Sequence, residues 1–281
     1  MLRSDLRLAA VCGLVIAMLS ISHGRVQAAA AGCTVLQTYR ATITGSGRIN
    51  GTSGDDVIVG SGGRDVIDGR GGDDVVCALG GDDTIVTGDG ADQIVGGAGD
   101  DDISAGGGPD LVFGDAPTYD GSGGGGADVI RGGNEPGTAG DVLWGGPGDD
   151  SLTGQAGDDA INGLQGNDKL VGGDGYDTIK GGDGRDRLYG QADDDTLYGG
   201  EGGDSTSAGA GNDSLYGEEG DDKMVGGSGD DFLRGSAGDD RLYGEGGDDR
   251  LEGNAGANDS CSGSTGFDTA DSSCETVIGV P

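Results

Sequence analysis

Gly51-Thr-Ser-Gly-Asp-Asp56-Val-Ile58-Val runs without a gap into Gly60-Ser-Gly-Gly-Arg-Asp65-Val-Ile67-Asp, and these eighteen residues set the reading of the whole chain. Both halves follow the pattern G-G-x-G-x-D-x-U-x, with U a large apolar residue. The sixth-position aspartates continue every nine residues through Asp74, Asp83, Asp92, Asp101 and Asp110. After an irregular stretch they resume at Asp128 and Asp141. From Asp150 the series is unbroken through Asp159, Asp168, Asp177, Asp186, Asp195, Asp204, Asp213, Asp222, Asp231, Asp240 and Asp249. Looser copies at Asp259 and Asp268 close it. The eighth position keeps the same phase with Ile, Val, Leu or Met, and Thr206 is its one polar exception.

This period separates the readings that composition leaves open. With 68 glycines and a formal net charge of −35 in 281 residues, the chain could be an acidic polymer or a repeat array that needs a cation to close it. A disordered polymer has no reason to place one aliphatic residue every ninth position. Collagen is excluded by the period of nine and by only 5 prolines.

The nonapeptides resemble the repeats-in-toxin (RTX), or hemolysin-type, calcium-binding family, over about Gly51 to Asp271. The resemblance implies an all-β fold, a parallel β-roll or right-handed β-solenoid of GGxGxDxUx repeats. Each repeat reads as a six-residue turn and a three-residue strand, with the eighth position facing a thin core and the seventh and ninth facing outward. Two repeats make one coil, so turns eighteen residues apart stack. One edge gathers Asp150, Asp168, Asp186, Asp204, Asp222 and Asp240, and the other Asp159, Asp177, Asp195, Asp213, Asp231 and Asp249. Multiple Ca2+ ions are the implied cofactors, bound by the 21 aspartates from Asp56 to Asp249 together with glycine-loop carbonyls, an all-oxygen set suited to a hard cation. One aliphatic side chain per nine ordered residues is a small core, so the roll is expected to close only when calcium binds.

Residues 1–30 read as a signal peptide: Arg3 and Arg7, an apolar run from Leu8 to Ser22, then Val26-Gln27-Ala28-Ala29-Ala30. The implied location is secreted, extracellular. Removing this segment takes three basic residues and one acidic one, so the charge moves from −35 to −37, and it removes the only histidine, His23. Nucleic acid and anionic lipid are thereby disfavoured as partners, and cations favoured. No later stretch is apolar enough for a membrane span. Cys33, Cys77, Cys261 and Cys274 suggest the disulfides Cys33–Cys77 and Cys261–Cys274, with lipidation of Cys33 as the rival reading.

The remaining divisions are an N-terminal cap at 31–50, a first repeat block at 51–113, an irregular stretch at 114–140, a second block at 141–271 and a C-terminal cap at 272–281. In the irregular stretch Tyr119 stands where an aspartate belongs, and Glu135-Pro-Gly-Thr138 is a four-residue insertion. Both are expected to leave a gap in the calcium ladder. Asp193 replaces the fourth-position glycine of its turn. Fifth-position acids (Asp55, Asp73, Asp82, Asp149, Asp230, Asp248) read as solvated turn carboxylates, because catalytic pairs do not recur with a structural period. With no catalytic constellation, the sequence points to a non-enzymatic calcium-binding protein with a structural or adhesive role. The alternative is a carbohydrate-binding or carbohydrate-active module, with extracellular polysaccharide or a cell surface as partner. It would use the ninth-position aromatics Trp144, Tyr189, Tyr198, Tyr216 and Tyr243.

Overall fold

A computed structural model describes residues 41–115, 125–134, 140–256, 258–274 and 276–278. The expected leader, Cys33 and the insertion at Glu135–Thr138 lie outside these residues. The described chain contains strands and no helix, arranged as two 13-stranded parallel sheets. Successive strands alternate between sheets, so each strand pairs with the one two places on. The first sheet begins Ile43–Thr44, Val57–Ser61, Val75–Gly80, and the second Arg48–Asn50, Val66–Asp68, Thr84–Asp89. In regular stretches the register is eighteen residues, as in Ile179↔Leu197↔Leu215 on one sheet and Leu170↔Leu188↔Thr206 on the other.

That register puts every eighth-position side chain between the sheets. Ile58, Ile94, Leu143, Leu188, Leu215 and Leu251 are among a single line of wholly buried residues. Alternation along the strand sends the seventh and ninth residues out: Arg187 and Tyr189 are exposed on either side of buried Leu188. The first sheet departs from this rule at its N-terminal end. There the ninth-position residues Val59, Cys77 and Val95 are buried, and Cys77 and Val95 pack with Leu79 and Phe113 as a second apolar cluster.

The strands are longer than the expected three residues. Lys169–Asp174 is typical: it begins at the seventh position and continues through the first three positions of the next repeat. The glycine positions therefore belong to the ladder, and Gly173 pairs with Gln155 and Gln191 above and below. At the ends, Ile49 joins the core from the strand Arg48–Asn50. Cys261 takes an eighth-position place, paired with Leu242 and disulfide-bonded to Cys274. Cys77 is also disulfide-bonded.

Thr206 sits between Leu188 and Met224 in the core line, 1 % exposed, and its hydroxyl has no hydrogen-bond partner. A buried polar group left unpaired costs about 1–3 kcal/mol. Thr206→Val should therefore raise the stability of the calcium-loaded protein by about 1 kcal/mol, read as a higher denaturant midpoint. Leu197→Ala, at an apolar place in the same line, should lose about 2–5 kcal/mol.

Candidate metal centre

Each sixth-position aspartate ends a turn with its side chain folded inward over the backbone. Along the second-block edges the backbone N–H of Asp150 donates to Asp168 Oδ1, that of Asp168 to Asp186 and that of Asp186 to Asp204, each at 2.8 Å. The other edge repeats this with Asp159, Asp177 and Asp195. The carboxylates are almost wholly buried, Asp168 and Asp222 completely so. One oxygen of each is thus spent on the preceding coil.

The other oxygen has no hydrogen-bond partner. This holds at Asp74, Asp83, Asp101 and Asp128, and at every ninth residue from Asp150 to Asp249. Buried carboxylate oxygens are not left so without an opposite charge to face. What surrounds them is oxygen. A β-carbon on Gly163 would collide with Asp168 Oδ2 and come within 2.7 Å of the Gly181 carbonyl oxygen. At Gly163 only hydrogen fits on the backbone as it stands, although Ala78, Thr87, Ala105 and Ala208 hold the equivalent place in other turns. At the fourth position the demand is conformational: Gly166 has φ +134° and lies against the Gly148 carbonyl oxygen below it. Asp193, the one aspartate at that position, adopts φ +70° and keeps the same turn, with its own carbonyl oxygen against Gly211.

The donor set fits calcium. It offers one carboxylate oxygen and several carbonyl oxygens per turn, with no nitrogen or sulfur, as a hard cation prefers. Among the described residues no three acidic, thiol or imidazole side chains cluster to hold a metal on their own, so any cation here depends on the backbone.

Three findings differ from the sequence reading. First, the expected gap is absent. The Asp101 N–H donates to Asp128 across 27 residues, the Asp110 N–H to Asp141 across 31, and Asp128 donates onward to Asp150, all at 2.8 Å. The ladder continues because the strands either side pair directly: Asp102–Gly107 with Val129–Asn134, and that strand with Ser151–Ala156. Second, Asp56 and Asp65 depart from the metal-holding geometry expected of them. Asp56 Oδ2 accepts from the Thr52 N–H at 2.6 Å and its hydroxyl at 2.9 Å, and Asp65 Oδ2 from the Ser61 N–H at 2.7 Å and hydroxyl at 2.9 Å. Second-position hydroxyls supply there what a cation would supply elsewhere. Third, the fifth-position acids form a ladder of their own. Asp55 accepts from the Asp73 N–H, Asp230 from Asp248 and Asp149 from Asn167, at 2.8–3.0 Å. This ladder runs in the opposite sense to that of the sixth position. The recurrence of Asn beside Asp at this place (Asn167, Asn212) was its one sequence signal.

Sequence reasoning also left Asp259 and Asp268 outside the site set. Both are buried and continue the ladder, accepting from the Asp240 and Asp249 N–H groups at 2.9 and 3.1 Å.

The family described as the RTX calcium-binding nonapeptide repeat matches this chain in overlapping segments over residues 43–112 and 122–270. No curated protein matches it.

Burial removes water from these carboxylates and pushes their pKa values up, against the opposing backbone hydrogen bond: Asp168 to about 7, Asp177 and Asp222 to about 8. Folded values above the unfolded 3.8 mean that the calcium-free roll is most favoured below that value. The contribution is lost as pH rises through about 6–8, the folded range from Asp150 to Asp222. Protonation would thus relieve the burial of charge that these oxygens otherwise impose on the folded chain. The calcium-free chain should therefore gain β-structure as the pH is lowered from about 8 towards 5, read by circular dichroism. Carboxylates titrating at ordinary values in the folded chain would leave the β-content unchanged over that interval.

Proposed function

This chain belongs to the RTX calcium-binding nonapeptide repeat family, and from that premise we propose that calcium held between stacked turns is what closes its β-roll. Calcium binding and the β-roll follow from the family and the fold. The finer reading is that Asp74, Asp83, Asp92, Asp101, Asp110, Asp128, Asp141 and the series from Asp150 to Asp249 supply one carboxylate oxygen each, with first- to fourth-position carbonyl oxygens completing each shell. The carrying observation is the line of buried Oδ2 atoms without a hydrogen-bond partner at Asp74, Asp83, Asp101, Asp128 and every ninth residue from Asp150 to Asp249. Asp56 and Asp65, whose oxygens are already satisfied, act in this reading as the metal-free start of the line.

Charge supports the same reading. With residues 1–30 removed, the −37 of the mature chain derived from its sequence would be offset by roughly one divalent ion for each of about twenty turns. Without such ions, carboxylates stacked at strand spacing of about 4.8 Å repel one another and the thin core does not overcome the cost of ordering the backbone. The protein is, in this reading, a secreted, non-enzymatic element: a calcium-dependent rod with a structural or adhesive role, folded where calcium is abundant.

One observation favours a second reading, binding of extracellular polysaccharide. Tyr198 and Tyr216 stack in parallel at 4.9 Å on the outer face of the first sheet, and Lys180 lies 5.4 Å from the Tyr198 ring. The other aromatics named for this role divide between faces: Trp144 lies on the same sheet, Tyr189 and Tyr243 on the other. A glycan would therefore find a short platform of two tyrosines.

A calcium titration of the mature protein, followed by circular dichroism with magnesium as control, tests the first reading. A cooperative coil-to-β transition with calcium alone is expected. A chain that is equally β-structured in excess EGTA, or disordered at millimolar-order calcium, overturns it. Glycan pull-down that is lost in Tyr198→Ala/Tyr216→Ala would establish the second activity beside it.

A further inference from the structure

The irregular turn carries a buried carboxylate that the repeat pattern does not account for. Asp115 follows Gly114 and occupies the second position of its turn. The second-position residues in register with it, Gly97 below and Gly146 above, have left-handed φ of +124° and +132°, and Asp115 does not. In ordinary turns the second-position carbonyl oxygen lies against the second position of the next coil, as Gln155 O does against Gly173 and Gly182 O against Gly200. At Gly146 the nearest atoms are those of the Asp115 side chain, with Oδ2 at 2.7 Å from where a β-carbon would stand. The carboxylate has taken the place of a backbone carbonyl.

Its surroundings are those of the stacked turns with one negative charge added. Asp115 is 3 % exposed; its Oδ2 accepts from the Gly126 N–H at 3.3 Å and its Oδ1 has no hydrogen-bond partner. Asp128, in the same turn, and Asp150, in the next coil, each present an Oδ2 that also lacks one. Asp128 Oδ2 packs against Gly114, and the Gly145 carbonyl oxygen comes within 2.7 Å of where a β-carbon of Gly114 would stand. Like-charge repulsion from Asp150 reaches Asp115, and that from Asp115 reaches Asp128.

We propose that Asp115, Asp128 and the Gly145 carbonyl, with Asp150 beside them, form a divalent-cation site distinct from the repeat sites and the tightest in the array. The reason is charge count: a second carboxylate replaces a neutral carbonyl in an otherwise similar oxygen shell, and affinity for a hard cation rises with ligand charge. The break in the sequence repeat is in this view the place where cation binding begins. The inference rests on the reading that ordinary turns hold calcium.

The chain's single tryptophan, Trp144, immediately precedes Gly145, so terbium emission excited through tryptophan reports on this turn ahead of distant ones. In the full mature chain, tryptophan-sensitised terbium emission should saturate before the bulk coil-to-β transition seen by circular dichroism. Asp115→Asn, which keeps shape and removes charge, and Asp115→Gly, which restores the ordinary repeat, should each weaken this early phase about tenfold or more while leaving the bulk transition in place. Asp168→Asn should leave the early phase unchanged. Emission that rises together with the bulk transition in the wild type, or an early phase untouched by Asp115→Asn, overturns the proposal while leaving the repeat reading standing. Absence of both emission and transition overturns the two together.

Discussion

The fold depends on one hydrogen bond made over and over: the N–H of a sixth-position aspartate to the carboxylate of its counterpart one coil on. It ties each coil to the next at both edges, where the sheets themselves have ended. It also fixes the carboxylate so that one oxygen is satisfied by protein and the other is buried beside carbonyl oxygens. A neutral side chain could make the tie without this consequence. An ionised aspartate cannot, and so along the series from Asp150 to Asp249 the bond that stacks the coils also creates a need for positive charge. Structure and cation demand are here one feature.

The core explains why that demand is met by an ion and not avoided. A single line of aliphatic side chains, one per nine residues, keeps the sheets in register but buries little area for the backbone it orders. Glycine lets the turns approach each other's carbonyls, and the same glycines raise the entropy of the unfolded chain. The exceptions follow the same logic. Where Thr52 and Ser61 offer hydroxyls, the second oxygen is satisfied locally, and there the left-handed second and fourth positions disappear. Cys261 replaces an aliphatic in the core line near the C-terminal end, and its disulfide to Cys274 supplies covalently what packing supplies elsewhere.

Much of this was legible in the sequence because period-nine order survives translation into space: the aspartates and aliphatics that share a phase share an edge or a core line. Features that depend on backbone conformation were not legible. The strands run through the glycine positions because residues with left-handed φ, such as Gly173, still pair across coils, which residue type alone does not reveal. Sequence reading counts an aspartate lost at Tyr119 and infers a gap. The chain instead resumes the same turn at Asp128, since the ladder recognises position in space and not along the chain. Asp115 was passed over because it sits at a glycine's place, and the burial of Val59, Cys77 and Val95 because alternation assigns them outward.

The order of the strands carries a consequence of parity. Strands alternate between two sheets, so each nonapeptide that forms a strand exchanges the sides of the rod for everything after it. Asp102–Gly107 pairs directly with Val129–Asn134 although Asp102 and Val129 are 27 residues apart, and Leu111–Asp115 of the other sheet lies between them in sequence. One further strand between Phe113 and Val129 would put Trp144, Tyr198 and Tyr216 on the face opposite to Phe113. Gain or loss of repeats in pairs lengthens or shortens such a rod and leaves its two faces as they were, whereas a single repeat reverses the display of every residue downstream.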